Sequence, residues 1–188
     1  VARHELYPML QTKPTNLHIA PMAAQHLSAV VAIDELGHGH SWCLNTWCQE
    51  LADPKRLHLV AIASTERSDE AGNGEFVVGH AGLIFYADVA HISNVGVAAE
   101  YQGQGIATRL LIELLKRARN LGAGSASLEV RVANKRAHRV YSRVGFQPLG
   151  VSESFYSKPR EDALVMSIRY LDQPEVAERF AKVLATLP

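Results

Sequence analysis

The chain has 188 residues, 47% of them apolar and 20% charged, and its nineteen basic and nineteen acidic side chains cancel. That is enough chain for one domain with a real core and too little for two. The balanced charge creates no global field for nucleic acid or an anionic membrane, and no apolar run approaches the roughly 20 residues that span a bilayer.

The first five residues lack the basic-then-apolar layout of a signal peptide. Cys43 and Cys48 are the two cysteines. On a helix they point about 140° apart, which disfavours a mutual disulfide and fits a reducing compartment. The expectation is a soluble cytoplasmic protein, monomeric or weakly dimeric, with no direct nucleic-acid or membrane partner.

Residues 1–14 contain two prolines and read as an N-terminal arm. Asn16-Leu17-His18-Ile19-Ala20 alternates as a strand does. Pro21 then precedes a helix with Leu27, Val30, Val31, Ile33 and Leu36 on its apolar positions, ended by Gly37-His38-Gly39-His40. Ser41 is placed to cap a second helix carrying Trp42, Leu44, Trp47 and Leu51, which stops at Asp53-Pro54. His38, His40 and Cys43 crowd one turn but lack a fourth ligand, so no metal site is expected.

Residues 57–64, 76–87 and 89–97 read as three antiparallel strands, the first two joined by a polar stretch containing Gly72-Asn73-Gly74. From Gly105 a helix shows one stripe of Ile106, Leu110, Leu111, Leu114, Leu115, Ala118 and Leu121. Glu113 precedes Arg117 in the favourable order, and Gly122 suits a left-handed stop. Residues 125–131 form a strand that this crossover makes parallel to 89–97. Asn134 can cap a helix with Ala137, Val140, Tyr141 and Val144 inward and Gly145 at its end. Residues 146–156 and 163–170 close the sheet. After Pro174, Val176, Phe180, Val183 and Leu184 fit a last amphipathic helix.

The chemistry concentrates around Gln102-Gly103-Gln104-Gly105-Ile106-Ala107, where two glycines open the central helix. Amides at a helix start have no partner within the helix, and the macrodipole adds partial positive charge, so the turn is suited to phosphate. Two readings compete. A dinucleotide fingerprint would continue to a third glycine, but Thr108 stands there, and residues 98–102 separate strand from glycines. The second reading is Gln102-x-x-Gly105-x-Ala107, a pattern that grips the diphosphate of coenzyme A.

With this motif, Leu128-Glu129-Val130-Arg131, Asn134, Tyr141, Gly145-Phe146 and Glu161-Asp162-Ala163-Leu164-Val165-Met166, the chain resembles the GCN5-related N-acetyltransferases. Within them it is most similar to the RimI-type enzymes that acetylate the N-terminal alanine of a small-subunit ribosomal protein. The similarity runs over residues 16–170. It implies an α/β (α+β) domain over residues 15–171, with a mixed, mostly antiparallel seven-stranded sheet, a splayed parallel pair and helices on both faces. Residues 172–188 would form a C-terminal helical extension.

The resemblance also implies acetyl-CoA as co-substrate and the N-terminus of a ribosomal protein as partner. It makes Glu129 the general base and Tyr141 the general acid. Val95, Gly96 and Val97 would hold the pantetheine arm, Gln102, Gly103, Gln104, Gly105, Ile106, Ala107 and Thr108 the diphosphate, and Asn134 another part of the cofactor. The residues alone leave alternatives open. Glu129 could be a solvent-facing strand residue or pair with Arg131, Tyr141 could be core packing, and Asn134 a helix cap.

The basic run Lys135-Arg136-Ala137-His138-Arg139, with Arg131 and Arg143, could be a solvated face or could attract phosphates or a ribosomal assembly. It departs from the family's alanine-rich version. Trp42 on one side and Phe155 and Tyr156 on the other could wall a peptide groove. A small amine or a protein lysine as acceptor, or a coenzyme-A-binding subunit without turnover, are the rival functions.

Overall fold

The computed structural model describes residues 16–38, 42–64 and 74–188. Residues 58–63 and 77–83 are buried along their whole length, as strands must be when both faces of a sheet are covered. They form the core of β2 (Arg56–Ser64) and β3 (Glu75–Tyr86) in a seven-stranded sheet. With β1 (Asn16–Pro21), β4 (Val89–Val97), β5 (Ser125–Arg131), β6 (Gln147–Ser157) and β7 (Arg160–Arg169), the strand order is β1-β2-β3-β4-β5-β7-β6. Every neighbouring pair is antiparallel except β4 and β5. Pro21 ends the edge strand β1, where its missing N–H costs no central ladder bond.

Helices α1 (Leu27–His38) and α2 (Leu44–Ala52) cover one face, and α3 (Ile106–Asn120) covers the other. Alternation along β3 fixes this division: a Cβ at Gly79 would meet Ile106 and Leu110 of α3, while His80 reaches Asp34 of α1. Helix α4 (Lys135–Val144) packs against α3, and α5 (Pro174–Ala185) packs against both. Leu171, Val176 and Phe180 join the main core, so the C-terminal helix docks on the domain.

Several expectations need correction. Helix α2 starts at Leu44, so Trp42 lies ahead of it; Ser41 and the Gly39-His40 turn lie outside the described residues. Leu121 is 68% exposed, because α3 stops one residue before it and Gly122 turns the chain away at a φ of 97°. Thr108 and Ile112 are buried instead, so α3 is covered more widely than its stripe suggested. The closing strand β7 starts at Arg160, three residues earlier than the sequence indicated, and β6 is displaced by one residue to Gln147–Ser157. Residues 1–14 and most of the polar connection between β2 and β3 lie outside the described residues. Cys43 and Cys48 are both free and exposed.

A buried polar cluster sits beneath α1 and α2. His80 Nε2 pairs with Asp34 Oδ1 at 2.9 Å, and the Trp47 ring stands edge-on to both His58 and His80. Glycines opposite make room: a Cβ on Gly96 would lie 2.5 Å from His80 Nε2, and one on Gly82 would collide with His58 Nδ1. Glu50 lies 3.5 Å from His58, but Arg56 already holds that carboxylate at 2.7 Å. Burial, with the Arg56 charge and His80 adding to it, lowers His58 from 6.5 to about 4.

Between those two values the unfolded chain binds a proton that the folded chain refuses, so stability rises with pH across that window and is lost as pH falls through it. The loss on acidification through the full window amounts to roughly 3 kcal/mol. Burial raises Glu50, which acts in the opposite sense just above its ordinary range, so the parent protein shows the difference of the two. Replacing His58 by Leu is expected to flatten the His58 part of the curve, read by urea denaturation at successive pH values between 4 and 7.

Candidate active site

β4 and β5 share only three rungs, Val89↔Ser125, Ala90↔Ala126 and His91↔Ser127. Beyond His91 the strands part. Register between β3 and β4 jumps from Gly82↔Asn94 to Leu83↔Ile92, leaving Ser93 as the extra residue of a bulge. A bulge bends its strand and strengthens the local twist, and this one lies where β4 leaves β5.

Beside the part of β4 that has left β5 lies a cleft of about 270 Å³. Val95 and Val97 of β4 line one side, and Ala137, Val140 and Tyr141 of α4 the other. Gln102, Gly103, Gly105, Ile106, Ala107 and Thr108 form its end, with Asn134, Arg136 and Arg143 beside them. Gly96 and Gln104 do not line it: the Cβ direction of Gly96 points to His80, and Gln104 reaches back toward the Glu100 carbonyl. Asn134 caps α4, its Oδ1 accepting from the Ala137 N–H at 3.0 Å, while also bordering the cleft.

The start of α3 is shaped by Gly105, which takes φ of 79° as N-cap, after Gly103 at 84°. A side chain is strained in that region. The first amides of α3 have no intrahelical acceptor and belong to residues on the cleft wall. Gln102 spans this mouth. Its Nε2 donates to the Val97 carbonyl at 2.9 Å and its Oε1 accepts from Arg136. Arg136 and Arg143 thus face the cleft, which the basic pattern of α4 alone did not reveal. The C-terminal segment also touches this turn: Leu187 packs at Gly105, and Arg109 Nη2 donates to the Pro188 carbonyl at 2.7 Å. Free amides, two guanidinium groups and a glycine turn without Cβ atoms suit an anionic diphosphate; the valine-lined walls suit an extended, mostly apolar arm.

Tyr141 stands edge-on to Phe146, and burial, with Tyr156 nearby, pushes its hydroxyl up to about 12. It therefore remains protonated throughout the neutral range. Glu129 is outside the cleft lining, on the face of β5 opposite the buried Leu128 and Val130. Its Oε2 pairs with His91 Nε2 at 3.2 Å, and both side chains are half-buried. The expected alternative partner, Arg131, is occupied elsewhere. It bonds Glu161 at 3.0 Å, donates to the Lys158 and Pro159 carbonyls, and stacks 4.0 Å above the Tyr156 ring. The Ala133 amide and Arg131 hold Glu161 below the usual carboxylate range. This clamp brings Tyr156 to β5, where its hydroxyl donates to the Glu129 carbonyl at 3.3 Å.

His91 is the site neighbour that local sequence patterns leave unassigned. Arg136 and Arg143 belong to the basic run offered as a solvated face or for phosphates, and Tyr156 to the residues offered as a groove wall. A period-two count along 89–97 and 125–131, aligned in parallel, would have put His91 and Glu129 on one face. Among the described residues no group of three or more potential ligands could hold a metal, and no helix is long and apolar enough to cross a membrane.

Residues 25–146 match the family model described as Acetyltransferase (GNAT) family. The chain belongs to the GNAT acetyltransferases. It is accordingly an acyltransferase that uses acetyl-CoA. It is 38% identical over 129 residues to an N-alpha-acetyltransferase RimI of Mycobacterium tuberculosis, covering 66% of this chain and 73% of that one. It is 27% identical over 152 residues to a putative ribosomal protein bS18-alanine N-acetyltransferase of Bacillus subtilis, covering 81% and 95%. Its fold is shared with the crystal structure of the ribosomal-protein-S18-alanine N-acetyltransferase from Escherichia coli, at TM-score 0.69 and 24% identity over 82% of this chain and 94% of that one. Arabidopsis thaliana NAA60 in complex with acetyl-CoA gives TM-score 0.70 at 19% identity, over 82% and 98%.

A carboxylate at position 105 would sit in a strained backbone and in front of the α3 amides. Gly105→Glu is expected to weaken acetyl-CoA binding by more than roughly a hundredfold, since opposed like charges cost several kcal/mol. Titration calorimetry reads the affinity, and circular dichroism checks that the variant is folded.

Proposed function

We propose that this GNAT enzyme acetylates the α-amino group of a protein N-terminus, an Ala-initiated ribosomal protein of the small subunit. The observation that carries the reading is a tethered but solvent-reachable carboxylate, Glu129, on the strand that splays from β4. The names carried by the Bacillus subtilis and Mycobacterium tuberculosis relatives agree with it. In this reading residues 15–171 are the catalytic domain and 172–188 an extension docked on it. The diphosphate of acetyl-CoA rests on the residue 102–108 turn, with Asn134 beside it, and the pantetheine arm runs along residues 95–97.

An α-ammonium has a pKa near 7.7–8.0 and attacks a thioester only after losing a proton. Glu129 takes that proton, directly or through one water. The backbone amide of Val97 polarises the acetyl carbonyl. The nitrogen–carbon bond forms as the carbon–sulfur bond breaks, and Tyr141 gives its hydroxyl proton to the departing sulfur. With its acidity weakened to about 12, Tyr141 acts mainly by hydrogen-bonding the sulfur until charge has developed there. Ser142 is exposed and, among the described residues, no side-chain base is hydrogen-bonded to it, which favours direct transfer over an acyl-enzyme.

Glu129→Gln is expected to lower kcat by about 10²–10⁴, the usual contribution of a positioned base, with acetyl-CoA affinity changed less than about threefold. Unchanged turnover in steady-state assays would remove Glu129 as base. In a competition assay, an Ala-initiated peptide should be acetylated in preference to free polyamines and lysine peptides; preference for either rival would move the acceptor to that class. Complete lack of turnover with intact acetyl-CoA binding would favour a non-catalytic subunit.

A further inference from the structure

We propose that His91 is the positioning residue for Glu129 and the outlet through which Glu129 discharges its proton. The inference rests on the assignment of Glu129 as base.

His91 occupies the last rung before β4 and β5 part. Both ring nitrogens are held by side chains of β5, Nδ1 at 3.1 Å from Ser127 Oγ and Nε2 at 3.2 Å from Glu129 Oε2. A ring held at both nitrogens has a fixed plane, so it fixes the carboxylate it touches. On its other side, Tyr86 of β3 stands edge-on with centroids 6.1 Å apart. Glu129, Ser127 and Tyr86 are thus the titratable or hydroxyl groups that face it from the neighbouring strands. The His91 side chain is still 25% exposed, which gives a proton a way out to water. An exposed ion pair would need none of this second anchoring, and such pairs contribute little by themselves.

The proton count of the reaction requires an outlet. An ammonium becoming an amide loses two protons, while the sulfur retains one. Tyr141 supplies the proton on sulfur and is restored by one lost from nitrogen. The other reaches Glu129 and must leave before the next turnover. At rest Nε2–H donates to the Glu129 carboxylate and Nδ1 accepts from the Ser127 hydroxyl. Once Glu129 is protonated, proton exchange with water moves the ring hydrogen to Nδ1, which donates to Ser127. Nε2 is then left with a lone pair aimed at the carboxylic acid. It accepts the proton from the carboxylic acid, the carboxylate is regenerated, and the imidazolium loses a proton to bulk water. Imidazole is the side chain suited to exchange protons in both directions near neutral pH.

The test uses the full chain, acetyl-CoA and the acceptor preferred in the competition assay. His91→Ala is expected to lower kcat roughly tenfold, part of a general-base contribution, while KM for both substrates stays within about twofold. Added imidazole should restore turnover in proportion to its neutral form, because it can enter the vacated, solvent-open place beside Glu129. His91→Gln, which preserves bulk and a hydrogen bond but not the proton relay, should remain slow. The double variant His91→Ala/Glu129→Gln should be no slower than Glu129→Gln alone. Acetyl-CoA calorimetry on each variant certifies the fold.

Parent-like turnover in His91→Ala, failure of imidazole to rescue, full activity of His91→Gln, or additive losses in the double variant would each overturn the relay while leaving Glu129 as base. Parent-like turnover in Glu129→Gln, or no acceptor turned over at all, would overturn both.

Discussion

Three rungs hold β4 to β5, and past His91 the two strands no longer bond each other. This parting governs the rest of the site. Backbone donors and acceptors facing the gap lose their strand partner and must be satisfied by something else. On the side of α3 and α4, the gap exposes Val95, Val97, the glycine turn and Tyr141. On the opposite face it leaves Glu129, paired with β7 along one edge and held toward β4 only through its carboxylate on His91. A sheet continuous through β4 and β5 would have neither a cleft nor a carboxylate at its rim. The extra residue at Ser93 makes the departure compatible with full pairing on the β3 side, where the ladder continues to Val97.

The electrostatic character of the two faces differs accordingly. The cleft side gathers cationic and neutral donors, Arg136, Arg143 and the amides of α3, around a tyrosine that burial keeps protonated. Across the sheet, carboxylates are matched to imidazoles and guanidinium groups: Asp34 with His80, Glu50 with Arg56, Glu129 with His91 and Glu161 with Arg131. An anionic co-substrate entering the cleft meets charge of the favourable sign, whereas the paired carboxylates across the sheet leave little net charge.

The local grammar of the chain carried much of this into view. Alternation identified β4 and β5, the apolar stripe identified α3, and the helical crossover between them made the pair parallel. The glycine spacing marked the turn that opens α3 at Gly105, and Asn134 as cap and Gly145 as stop bounded α4. Long-range pairing was less accessible. Asp34 and His80 are 46 residues apart and meet only because β3 lies beneath α1. His91 and Glu129 meet through a register that depends on three rungs and one bulge. The exposure of Leu121 and the burial of Thr108 follow from where α3 ends and what crosses it, which propensity along one helix does not contain.

The close fit of imidazoles against glycines under α1 and α2 has an evolutionary corollary. Because a methyl at position 96 would strike the ring at position 80, those two sites cannot drift separately. A descendant that acquires alanine in β4 must first, or simultaneously, shrink the residue facing it in β3, and would then surrender the tether to Asp34. The same reciprocity joins positions 58 and 82. Ancestral states at these four places should therefore have changed in pairs, so that the interior beneath the helices would keep a record of order in mutation that surface positions lose.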